Sequence, residues 1–139
     1  MLLHIVARGK IGNSPEAELV DRYLKRIAWP TRVTELGERV PLPPAAPNSI
    51  SIVLDERGPP LSSTELARKL EGWRDDGKRE ARFLIGAADG HADAGRANAD
   101  LLLSFGPATW PHLLVRAMLA EQLFRATSIH ANHPYHRDG

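Results

Sequence analysis

The sequence predicts a single α/β domain spanning 1–139. Its mostly parallel sheet carries helices on both faces. Three observations predict it. Segments of strand character alternate with segments of helical periodicity along the whole chain, the pattern of a sheet built by helical crossovers. The apolar run of "DLLLSFG" asks for cover on both faces, as strands of parallel sheets do. At 139 residues, with 42% hydrophobic and 25% charged residues, the chain has the size and composition of one globular domain.

The elements follow in order. "LLHIVARG" (2–9) reads as a strand that ends at Gly9. "SPEAELVDRYLKRI" is a helix with Ser14 as N-cap and Pro15 in the first turn, where its missing N–H costs nothing. Val20, Tyr23, Leu24 and Ile27 recur on its apolar face. "TRVTEL" (31–36) alternates as a second strand, and "PLPPAAPN" (41–48) is a proline-rich connector. "SISIVLDE" (49–56) is the third strand. In the next helix Ser62 and Glu65 form a capping box, Leu61 and Leu66 a hydrophobic staple, and Gly77 is placed to end it. "ARFLIGA" (81–87) and "DLLLSFG" (100–106) are the fourth and fifth strands, with a small-residue stretch between them fit for a short helix. The last helix, "PHLLVRAMLAEQLFRAT", is apolar on nearly every side. Two narrow polar strips interrupt it, one of His112 and Arg116, the other of Glu121, Gln122 and Arg125. Such a helix is covered on more than one side, and in a small domain a partner subunit is the expected second cover.

Several function classes are disfavoured. With no cysteine there is no disulfide, thiolate zinc site or cysteine nucleophile, and a reducing cytoplasm fits. The apolar run of "MLLHIVARGK" is too short for a signal peptide or a membrane span. A net charge of +1 announces no general nucleic-acid binder, although a local basic patch stays open. There is no G-x-G-x-x-G and no Walker loop. Ser104 lacks a nucleophile elbow. His4 reads as packed or edge, His91 as a loop residue, and Asp55 with Glu56 as a solvated strand end before an acid pair.

Two places invite chemistry. The strand exits through Gly86, Ala87 and Ala88 to Asp89 and Gly90, and through Gly106 and Pro107, carry small residues. These let main-chain groups approach a flat ligand, and ligands of open α/β sheets bind beyond the carboxyl ends of strands. The chain then closes on "NHPYHRDG". His130, His133 and His136 with Asp138 form a conceivable metal set, although Pro134 interrupts the spacing and no H-E-x-x-H is present. On residues alone, ordinary turns and a solvated tail remain open beside a ligand site.

"VLDERG", "FLIGAADG", "LLLSFGPATWPHLLVRAMLAEQLFRA" and "NHPYHR" together resemble the ribosomal-RNA large-subunit methyltransferase H family of the SPOUT (α/β-knot) superfamily. The likeness is strongest from Ser49 onward. Ala7, Gly9 and Lys10, in "ARGK", agree more loosely. The resemblance implies a homodimer with a C-terminal trefoil knot. It also implies methyl transfer from S-adenosylmethionine, without a metal, to a ring nitrogen (N3) of a pseudouridine in large-subunit (23S) ribosomal RNA. Carried over by residue, the donor site comprises Leu54, Gly86, Phe105, Gly106, Pro107, Ala108, Thr109 and Trp110. Tyr135, His136, Arg137 and Arg116 carry the chemistry, with the two arginines and Arg125 holding phosphate or a developing anion. Ala87 stands where relatives carry glycine, and the 41–48 connector is shorter than theirs. The rival readings are a metal-dependent hydrolase using the terminal histidines and a non-catalytic RNA-binding module.

Overall fold

Strand and helix alternate in the computed structural model, which describes residues 1–86, 98–132 and 135. β1 (Leu2–Arg8), α1 (Pro15–Leu24), β2 (Thr31–Leu36), β3 (Ser49–Leu54), α2 (Ser63–Asp75), β4 (Glu80–Ile85), β5 (Leu101–Leu103) and α3 (His112–His130) follow one another. The five strands form one sheet in the order β2-β1-β4-β3-β5. Every pairing in it is parallel. The course of 87–97 and of most of the tail lies outside the described residues, and with it the short helix, the turn at Ala87, Ala88, Asp89 and Gly90, His91 and the expected knot.

Local signals set the helix ends. The Ser14 side chain accepts from the Ala17 amide and Pro15 opens α1. Ser62 and Glu65 cap α2 reciprocally, at 3.1 Å each way. Gly77, at φ +84°, takes the left-handed turn that stops α2. α3 runs to His130, three residues past the expected end. Thr127 and Ser128 donate their hydroxyls to carbonyls three and four residues back, which keeps both inside the helix. β3 and β5 are shorter than expected. After Leu54 the chain turns, with the Gly58 amide on the Asp55 carbonyl at 2.8 Å. After Ser104 it bends away through Gly106 at φ +94°.

Strand alternation sorts the sheet into two faces. Leu3, Ile5, Ala7, Ile52, Leu54, Ala81, Phe83, Ile85 and Leu103 form the core beneath the helices, against Leu66, Leu70, Leu119, Leu123 and Phe124. α3 lies between α1 and α2, with Val20 of α1 packed on Ala117 and Ala120 and the Ser63 hydroxyl of α2 bonded to Gln122 at 2.6 Å. Neighbours within the protomer therefore account for much of its apolar circumference. Leu114 and Met118 stay half-buried.

The opposite face carries Val6, Val53 and Leu84, packed with Leu36, Ala99 and Leu102. Beside them His4, Arg82 and Ser51 share one register across the sheet. Arg82 donates to the Pro43 carbonyl at 2.6 Å, and Arg8 reaches the carbonyls of Gly37 and Val40 at 2.9 and 2.6 Å. Arg82 thus holds the proline-rich connector, and Arg8 the turn that leads into it. His4 is packed as expected, 2.7 Å from the Thr34 hydroxyl, and burial pulls its pKa below the ordinary value. Among the described residues no helix is long and apolar enough to cross a membrane.

Candidate functional site

A parallel sheet sends all its strand ends to one edge, so residues far apart in sequence converge there. Leu54 is in register with Ile85 on one side and with Leu103 on the other. Leu54, Gly86 and the segment Phe105–Trp110 therefore gather at the carboxyl ends of three adjacent strands. Leu54 is buried, Phe105 and Gly106 are half-buried, and Pro107, Ala108, Thr109 and Trp110 are exposed.

The 104–110 loop has a defined shape. The Ser104 amide donates to the Pro59 carbonyl and the Gly106 amide to the Ser104 hydroxyl, both at 3.3 Å. Ser104 is itself buried, and its hydroxyl braces the bend. The Trp110 indole N–H returns to the Phe105 carbonyl at 3.3 Å, while its ring stays 42% exposed. Beside it, a Cβ on Gly58 would stand 2.9 Å from Leu102 and the Leu103 nitrogen, so the β3–α2 turn can approach β5 only as glycine.

Asp55 and Glu56 do not form an acid pair, nor are both solvated. The Asp55 side chain is 6% exposed and accepts from the Arg57 amide at 2.9 Å, with the Arg57 guanidinium 3.5 Å away. Glu56 turns across to the other loop and accepts from the Thr109 hydroxyl at 2.6 Å. Sequence spacing carried no signal for that contact, because the partners lie 53 residues apart.

Arg116 corrects an expectation. Expected to hold phosphate or a developing anion, it is 1% exposed in the protomer. Its guanidinium is paired with Glu35 and donates to the Gly9 carbonyl at 3.3 Å. Glu35 also accepts the Ile11 amide at 2.8 Å. The Arg116 hydrogen bond holds the Glu35 carboxyl below the usual carboxylate range, against the opposing effect of burial. The pair thus braces the turn after β1, which needs Gly9 at φ +87° and carries the exposed Lys10. The Arg116 Nε is buried without a hydrogen-bond partner among the described residues, and the group as a whole is shielded from solvent within the protomer. A cleft of about 350 Å³ between α1 and β2, lined by Ile11, Val20, Leu24 and Val33, ends on this pair.

Tyr135 is folded back onto α3. Its ring lies 4.5 Å from that of Phe124 and 4.8 Å beneath the Arg125 guanidinium, and its hydroxyl donates to Glu121 at 3.2 Å. Burial, with hydrogen bonds to Tyr23 and Glu121, pushes its pKa up to about 12. At 1.5 Å rise per residue, Glu121 is roughly 13 Å along α3 from His112, so in the protomer Tyr135 is well removed from the strand-end cluster. Arg125 is occupied as well, chelating Glu121 at 2.6 and 2.8 Å. His130 stacks on Trp29 at 5.5 Å and sits 3.3 Å from Glu71. Among the described residues no group of three potential metal ligands occurs. His133, Pro134, His136, Arg137 and Asp138 lie outside them.

The family described as Predicted SPOUT methyltransferase matches residues 33–136. The chain belongs to the SPOUT methyltransferase family. Proteins named Ribosomal RNA large subunit methyltransferase H from Rhizorhabdus wittichii and Novosphingobium aromaticivorans are 67% and 66% identical to it over the whole of both chains. A more distant namesake from Paramagnetospirillum magneticum is 46% identical over 99% of each. Among solved structures, a probable methylase family protein from Haemophilus influenzae superposes with a TM-score of 0.61 at 13% identity, covering 94% of this chain and 66% of that one. A probable methyltransferase from Bordetella pertussis gives 0.57 at 13% identity, covering 91% and 95%. These two likenesses bear on the fold alone.

Proposed function

We propose that this SPOUT family member transfers a methyl group from S-adenosylmethionine to N3 of a pseudouridine in large-subunit (23S) ribosomal RNA. One observation carries the reading. The residues that the family resemblance assigns to the donor converge at one edge of the sheet, in a chain that matches, end to end, relatives named for methylating this RNA.

The site residues fit the donor. Leu54 and Phe105 supply apolar walls beside a bend of small residues whose main chain is open to a flat ring. The left-handed Gly106 turns that main chain outward without a Cβ in the way. The sulfonium is already an activated leaving group, so the protein's task is to align sulfur, methyl and nitrogen. As the N–C bond forms and the S–C bond breaks, the imide proton leaves the ring and neutral S-adenosylhomocysteine is released. No metal is required.

In this reading His136 accepts the proton and Arg137 holds phosphate. Tyr135, protonated at any working pH, places them by anchoring the tail to α3. Arg116 acts through the Gly9–Lys10 turn rather than on phosphate. The tail anchor sits away from the donor edge of its own protomer, so the active form is a homodimer in which each tail serves the partner's site. Leu114 and Met118 belong to its interface, and the enzyme works in the cytoplasm on assembled ribosomes.

The test is methyl transfer to ribosomes purified from cells lacking the gene, followed by mass mapping of the large-subunit RNA. A gain of one methyl at a single pseudouridine is expected. Donor binding without any transfer would point to a non-catalytic RNA-binding module. Activity that requires added zinc would point to a metal enzyme.

A further inference from the structure

We propose that Glu56 is a positioning residue for the methyl donor, acting through Thr109; this rests on the reading of the strand-end cluster as the donor site. The 104–110 loop is tied at its root by the Ser104 amide on Pro59 and a bridge between Ser104 and Pro60. Inside, it is tied by Gly106 on Ser104 and Trp110 on Phe105. At its far end the loop runs into Pro111 and the start of α3, so both ends are attached. The 2.6 Å bond from the Thr109 hydroxyl to the Glu56 carboxylate ties the stretch between them to a different turn, and so sets where that stretch stands.

That turn is a stiff support. It is closed by Gly58 on Asp55 and by the inward Asp55 carboxylate on the Arg57 amide, and it lies against Leu102 and Leu103 too closely for any side chain at Gly58. The two clasped turns leave β3 and β5, neighbours in the sheet, and both carry donor residues: Leu54 on one side and Phe105–Trp110 on the other. A hydroxyl on a carboxylate is a short, charge-assisted bond. Both partners are exposed, so the bond adds little to global stability. Its effect falls on where the donor loop stands.

Two measurements test this. One is calorimetric titration with S-adenosylhomocysteine; the other is amide hydrogen exchange of residues 105–110 without ligand. Glu56→Ala and Thr109→Val are each expected to weaken binding about three- to tenfold, the range for one hydrogen bond to a charged group partly screened by water. The double variant should be no weaker than either single one. Glu56→Gln and Thr109→Ser, which keep the bond, should recover most of the affinity. In the unloaded protein Glu56→Ala should speed exchange at Gly106, Ala108 and Thr109 while the melting temperature holds. Wild-type affinity and exchange in Glu56→Ala would overturn the clasp, as would losses that multiply in the double variant. A wild-type protein that binds no S-adenosylhomocysteine would instead sink the donor-site reading, and hydrogen exchange would still decide the clasp.

Discussion

Arg116 is a buried guanidinium whose neighbours are a carboxylate and a carbonyl, and that decides what its removal does. Arg116→Ala strips the partly exposed Glu35 of its partner and frees the turn after β1, so urea unfolding should show a loss of about 1–3 kcal/mol, from the lost hydrogen bonds to a charged group and the packing of the buried side chain. The salt dependence of RNA binding should stay as in wild type, because no phosphate contact is lost. The pair also makes an acid-side prediction. Arg116 depresses the Glu35 carboxyl in the fold, so the unfolded chain binds the proton first as pH falls. The stabilisation is present above the ordinary carboxylate range and is lost as pH drops through the depressed value. Melting curves of Glu35→Gln should lack this loss. Tyr135 has the opposite sign. Its hydroxyl is raised to about 12, so the docking of Tyr135 on α3 is stable below the ordinary tyrosine pKa of about 10 and loosens as pH rises toward 12. Phenolate absorbance should show a late-titrating tyrosine that Tyr135→Phe abolishes. None of this was legible in the string. The spacing of His112 and Arg116 places them on one strip of a helix, but not which carboxylate, 81 residues upstream, faces it.

α3 shows how far an element can be read from its own residues. An almost unbroken apolar circumference states that neighbours surround the helix, and it does not name them. Here α1, α2 and the sheet supply much of the cover, so Leu119, at 0% exposure, belongs to the protomer core. Leu119→Ala should therefore cost about 3 kcal/mol in chemical denaturation whatever the assembly state. The proposed interface is better tested at Leu114, which is only half-buried in the protomer. Leu114→Glu should leave the circular dichroism spectrum intact and shift light scattering from dimer to monomer; a dimer that survives it would remove this strip from the interface. Helix starts were legible because caps are local: Ser14, Ser62 and Glu65 hold their own first turns. Strand ends were less so. Where β5 stops depends on the bend at Gly106 and on a bridge to Pro60, contacts that lie outside the strand's own alternation. The strand order, which puts β4 between β1 and β3, has no signature in any one segment.

At the scale of the whole molecule, the proposed donor edge and Tyr135 sit apart, with α3 running between them. The edge is a consequence of parallel topology: neighbouring parallel strands bring their small-residue exits to one side, so the convergence of those exits, though not their role, was legible in the sequence. The tail is different, because its polar residues announce chemistry without announcing a location. Tyr135 gives it one, packed on Phe124 and Arg125 partway along α3. That anchoring shapes the effect of cutting the chain before Pro134. The core strands and helices all precede the cut, so the truncated protein should fold and bind S-adenosylhomocysteine as before. It should lose about 1–2 kcal/mol of stability, from the aromatic pair and the cation over the ring. Methyl transfer should disappear, and Tyr135→Phe, which keeps the packing but not the bond to Glu121, should retain most of it. His136→Ala in the full chain should slow turnover by about 10²-fold with donor affinity unchanged, the loss expected of a proton acceptor. Mixing a dimer impaired at the donor edge by Gly86→Val with one lacking the tail should restore part of the activity if tails serve partner sites. Subunit exchange followed by transfer to ribosomes measures this, and no recovery in the mixture would return each tail to its own protomer.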